Sequence, residues 1–252
     1  MDAQRRKLFR RIFFDLKSIW LHGPQPTSLQ IGEVNPEEFN TWSSIALAWG
    51  WTARVARSSE AAIRLSDDGF DEEAVPLLRS ATEHAMWLWW ISKDGGKVVE
   101  TLQRKQAASL QTLMKAQEIG WTLDPPTLAT IEEIIAQASE RHKELDNFGR
   151  LSHLAKRYPE DLGNLYQGWL IETQVSHPTI QSSSGYFEAI PDSHPDGPGF
   201  RLTHRSSSQQ NNTAAKSVIA FHVALTAFSA VAGLDDYYSP KLKRIDDRVG
   251  QL

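Results

Sequence analysis

The segment Asp71–Ser92, DEEAVPLLRSATEHAMWLWWIS, constrains the fold of this chain more than any other. At about 100° per residue, Ala74, Leu77, Leu78, Ala81, Ala85, Leu88 and Trp89 form one stripe. Trp87 and Trp90 fall on the opposite side, close to Arg79 and Glu83. A helix that is apolar nearly all round in its second half has to be enclosed on most of its circumference. Asp71-Glu72-Glu73 stand at its positive dipole end, and Asp94-Gly95-Gly96 stops it. One such helix demands a bundle of others around it.

The partners are legible on both sides. Arg5–Leu21 is amphipathic, with Leu8, Phe9, Ile12, Phe13, Leu16, Ile19 and Trp20 on one face and Arg6, Lys7, Arg10, Arg11 and Lys17 on the other. Helices are also predicted from Pro36 to Asp67, Lys97 to Ile119, Thr127 to Leu145, Arg150 to Arg157, Pro159 to Gln174 and Thr213 to Gly233. No segment of useful length alternates with period two, and no internal repeat occurs. The fold expected is therefore all-α, a single-domain bundle of about seven or eight helices spanning residues 1–234. Residues 176–212, rich in Ser, Pro, Gly and His, read as one long irregular loop of functional character, in which Phe200–Thr203 could form a short strand. Residues 235–252 read as a charged C-terminal tail.

Composition narrows the class. With 252 residues, 40% of them hydrophobic and 23% charged, the chain has the balance of a globular domain. A net charge of −4 excludes a uniformly basic nucleic-acid coat. The absence of cysteine excludes a disulfide framework, thiol catalysis and thiolate-bound zinc, and fits a reducing compartment. The start, Met1-Asp2-Ala3-Gln4-Arg5-Arg6-Lys7, lacks the apolar core of a signal peptide, so a cytoplasmic location is expected. Ser217–Leu234 carries no formal charge, but its His222, Thr226, Ser229 and alanines suit a core helix, so no membrane span is expected.

The candidate site residues start from Arg79 and Glu83. They lie four apart on the enclosed helix, and charges there need partners. Two readings stay open: a structural ion pair, or a charged binding pocket walled by Trp87 and Trp90. A second cluster lies in Tyr166–Pro178, YQGWLIETQVSHP, where Ser176 and His177 end a helix and Pro178 prevents its continuation. His177 reads either as a titratable site residue or as a cap on the helix C-terminus. Docked over the Arg79 face, Tyr166 and His177 would supply a hydroxyl and an imidazole.

The pattern Leu77-Leu78-Arg79-Ser80-x-x-Glu83, followed by Tyr166 and Ser176-His177-Pro178, resembles an uncharacterised family of bacterial helical proteins. That resemblance implies an all-α fold, a bacterial source and convergence of Arg79, Glu83, Tyr166 and His177. The chain is also similar to the HEPN superfamily of helical bundles, whose ribonuclease members carry an Arg-x4-6-His motif. Arg79-Ser-Ala-Thr-Glu-His84 fits that string, which makes Arg79 and His84, with His177, the candidate catalytic residues. On a regular helix Arg79 and His84 point about 140° apart, so the two would have to meet across a homodimer.

The leading functional reading is a binding protein for a small molecule or a protein partner. The alternatives are a metal-independent ribonuclease of a toxin or phage-defence type, with RNA as partner, and a structural subunit. No Gly-rich phosphate loop, nucleophile elbow or HExxH motif occurs, so neither cofactor nor metal is expected.

Overall fold

A computed structural model describes residues 2–26, 36–138, 141–190, 199–204, 206 and 212–250. Among these, α1 is Ala3–Leu21, α2 Pro36–Asp67, α3 Asp71–Asp94, α4 Lys97–Lys115, α5 Pro125–Ala136, α6 Leu151–Arg157, α7 Pro159–Ser176, α8 Ile180–Ser183, α9 Thr213–Ala232 and α10 Asp235–Gly250. The architecture is all-α, with one two-stranded hairpin as its sheet among the described residues.

α3 is enclosed as its composition requires. It packs against α2 and α9 on one side and α7 on the other, with α4 and α6 nearby. Leu88, Ala81 and Ala85 join Phe13, Val55, Phe221, Leu225 and Phe228 in the larger core. Met86, Trp87, Trp90 and Ile91 turn to a second core with Leu151, Leu154, Leu162 and Leu165. Two cores on opposite faces of one helix explain why that helix is apolar nearly all round. α9 is long and apolar enough to cross a membrane by length and composition, and its Phe221, Ala224, Leu225 and Phe228 are buried against α2 and α3.

The helices number more than seven or eight, for two local reasons. The charged segment after Leu234 is not a bare tail but α10, amphipathic with Tyr238, Leu242 and Ile245 buried. Its charges face outward, and Arg248 binds Asp15 of α1 at 2.7 Å. The region 176–212 is also more ordered than an irregular loop where it is described. A capping box on Thr179 starts α8, and strands β1 Phe187–Ile190 and β2 Gly199–Leu202 pair antiparallel. The strand expected near Phe200 is thus one arm of a hairpin, with Glu188 opposite Arg201 and the Phe187 and Phe200 rings 5.4 Å apart. Tyr186, at the foot of the hairpin, donates to Glu73 in the first turn of α3. The helix expected from Thr127 to Leu145 is shorter: α5 ends at Ala136, and Lys143–Gly149 forms a 3₁₀ turn after His142, whose φ is 55°.

The two ends of the described chain meet. Tyr237 Oη donates to the His22 carbonyl at the end of α1, and Tyr238 is fully buried beside Gly23. A Cβ on Gly23 would stand 2.2 Å from Tyr238 Oη and 2.8 Å from Cζ. Gly23→Ala is therefore expected to destabilise by about 1–3 kcal/mol, because a fully packed ring has nowhere to retreat. Thermal unfolding measures this, and an unchanged midpoint would mean that the α1–α10 junction yields freely.

Candidate functional site

Residues Tyr166, Trp169 and Thr173 lie at i, i+3 and i+7 on α7, which gives them one face. That face meets α3 where Arg79 and Glu83 project. Arg79 Nε donates to Thr173 Oγ1 at 3.1 Å, and the guanidinium carbon stands 5.3 Å from the centre of the Trp169 ring. Trp169 Nε1 in turn donates to Glu83 Oε2 at 3.4 Å. Among the described residues Arg79 and Glu83 form no direct ion pair; Trp169 lies between them as a shared partner. Tyr166 stacks on the same indole, with ring centres 5.8 Å apart and planes 16° from parallel.

Two charged groups extend the cluster. Lys105 of α4 places Nζ 4.2 Å from the centre of the Trp87 ring and donates to the Gly149 carbonyl at 2.8 Å. Desolvation holds its ammonium below the ordinary lysine range, and the Glu83 carboxylate opposes that shift. On the other flank Glu172 of α7 is buried, 1% exposed, and Lys216 of α9 approaches Oε1 at 3.1 Å. Thr82 Oγ1 reaches its second oxygen at 3.4 Å. Burial pushes the Glu172 carboxyl above its usual value, against the pull of Lys216, Thr82 and Arg79.

The sequence-derived residues separate into groups. Arg79, Glu83 and Tyr166 converge on Trp169, and Trp87 joins through Lys105. Trp90 is fully buried in the second core, tilted against Trp87 with ring centres 5.6 Å apart, and its Nε1 is bound to Asp94 at 2.6 Å. Ser176 turns its hydroxyl back onto the Glu172 carbonyl at 2.7 Å. His177 is the exposed C-cap of α7 and hydrogen-bonds neither Arg79 nor Glu83. His84 faces elsewhere, against Trp51 of α2, with Nδ1 2.6 Å from the Ser80 carbonyl.

Trp169, Glu172, Thr173, Lys105 and Lys216 were not singled out from sequence. The first three carried a usable signal, since they share a helix turn with Tyr166 and Ser176. The two lysines come from distant helices and had none. Among the described residues, no three His, Asp or Glu side chains are grouped to hold a metal ion.

No curated protein and no solved structure matches this chain. Residues 46–193, more than half of the chain, run from α2 past β1 and include Arg79, Glu83, Tyr166 and His177. Over that span the sequence matches DUF5677, and the chain belongs to this family of unknown function.

Proposed function

We propose that this protein is a binding protein whose α3–α7 face takes a ligand bearing a carboxylate or phosphate, through Arg79. The observation that carries the reading is the state of that guanidinium. It is half-buried and oriented by Trp169 and Thr173, yet only Nε makes a hydrogen bond among the described residues. An arginine offers five donors in a rigid fork suited to two-pronged contact with an anion. Glu172, a buried carboxylate of α7, is engaged by Lys216 and Thr82. The Nη groups therefore keep donors for an incoming group, and the Trp169–Tyr166 stack holds the fork in place at low entropic cost.

The test is thermal unfolding at fixed ionic strength, with inorganic phosphate and succinate as probes, for the parent and Arg79→Met. A ligand that binds only the folded state raises the midpoint with concentration. A saturating rise is expected in the parent with at least one probe, and it should vanish in Arg79→Met. No response to either probe, or an equal response in the variant, would overturn the assignment. The ribonuclease alternative asks for arginine and histidine on one phosphate. Arg79 packs on α7 and His84 on α2, so that chemistry would need a second copy of the chain.

A further inference from the structure

A second, separate feature lies on the other side of α3. Between α2 and α4 runs a groove of about 840 Å³ that includes Gly50, Trp51, Arg54, His84, Gln103 and Gln106 among its lining residues. That volume falls within the range of small-molecule sites. Its apolar part is formed by Leu47, Val99 and Leu102, so a ring lying there would be drawn out of water.

The polar groups are arranged for a ligand rather than for one another. Arg54 is exposed, and no hydrogen bond or ion pair engages it among the described residues. His84 is half-buried, and the carbonyl of Ser80, 2.6 Å from Nδ1, can only accept. Nδ1 therefore carries the proton, which leaves the Nε2 lone pair of the neutral ring as an acceptor. Trp51 meets the His84 ring edge-on at 5.8 Å and fixes its plane. Gln103 and Gln106, three apart on α4, each offer an amide donor and acceptor to the same groove.

We infer that this groove binds an aromatic ring carrying an anionic group, with the ring beside Trp51, the anion on Arg54, and a ligand donor on His84 Nε2. A nucleotide and an aromatic carboxylate share that chemistry, and the experiment separates them. Gly50 makes the test clean, because a Cβ there meets nothing within 4 Å. Its replacement within a helix is favoured by propensity, so Gly50→Leu should fold at least as well as the parent while projecting into the groove.

Binding is measured by equilibrium dialysis with AMP and with indole-3-carboxylate, each against its uncharged counterpart, adenosine or indole. At least one anion is expected to bind about tenfold or more tightly than its counterpart, a difference of about 1.4 kcal/mol. Whichever anion binds names the source. Gly50→Leu and Arg54→Met should each weaken that anion about tenfold or more, whereas Arg11→Gln, which removes an exposed arginine of α1, should not. The proposal is overturned if neither anion binds, if the uncharged counterparts bind equally well, or if a folded Gly50→Leu retains parental affinity.

Discussion

Replacing Trp90 by alanine is expected to destabilise the protein by about 3–5 kcal/mol, measured as a lower urea midpoint at unchanged slope. The indole is fully buried, tilted against Trp87 at 5.6 Å and edge-on to Phe148 at 6.4 Å. Removing it leaves a cavity in the second core, which the surrounding rings cannot fill without leaving their rotamers. A polar loss adds to this. Trp90 Nε1 donates at 2.6 Å to Asp94 Oδ2, the oxygen that also receives Arg157 Nη1 at 2.8 Å. Arg157 Nη2 binds the other oxygen at 3.1 Å, and its guanidinium carbon stands 4.4 Å from the Phe148 ring centre. The indole thus anchors a chain of contacts that ties the C-terminal end of α3 to α6. Trp90→Phe loses the donor and part of the ring volume but keeps most of the packing, so it should cost clearly less. A loss below about 1 kcal/mol for Trp90→Ala would mean that this core collapses freely into the gap.

Glu172 is the second site of large expected effect. Glu172→Ala removes the carboxylate that Lys216 faces at 3.1 Å, and a cost of about 3 kcal/mol or more is expected for stranding a partly buried ammonium. The pH dependence is the sharper measurement. Burial raises the Glu172 carboxyl above its usual 4.5, so the folded chain holds that proton more tightly than the unfolded chain does. The stabilisation from this group is then complete below about pH 4.5 and is lost as the pH rises through the folded-state value. Glu172→Gln keeps the shape and does not titrate. The stability of the parent relative to Glu172→Gln should therefore decline across that window. A relative stability that grew with pH would mean that the attraction of Lys216 outweighs desolvation.

Helical periodicity was readable where a broad face met a core, as in α1 and α3, because burial on one side leaves a 3.6-residue signature. α10 was hidden by its charges. Tyr238, Leu242 and Ile245 form a thin stripe in a segment otherwise dominated by Asp, Lys and Arg. The hairpin was half visible, since Phe200–Leu202 has strand character but its partner Phe187–Ile190 lies across a stretch rich in Pro and Gly. At the site, the enclosed helix marked Arg79 and Glu83 as charges in need of partners. Their partners were less legible, because a residue such as Trp169 looks the same in sequence whether it fills a core or bridges two charges. Trp90 illustrates the converse: it shares a helical face with Glu83, yet two turns further on its indole is bound to Asp94 rather than to either charge.

The placement of α9 has a consequence for how the chain is made. Synthesis runs from the N-terminus, and α9 begins only at Thr213. Until then the wall that Phe221, Leu225 and Phe228 of α9 supply is missing from the core that holds Val55, Ala56, Ala81, Ala85 and Leu88 of α2 and α3. The family-matched span ends at residue 193 and leaves this wall out. A nascent chain of that length keeps this flank exposed until α9 follows, which takes a few seconds at about 5–20 residues per second. The order of the helices along the message, rather than their stability once assembled, sets the length of that interval.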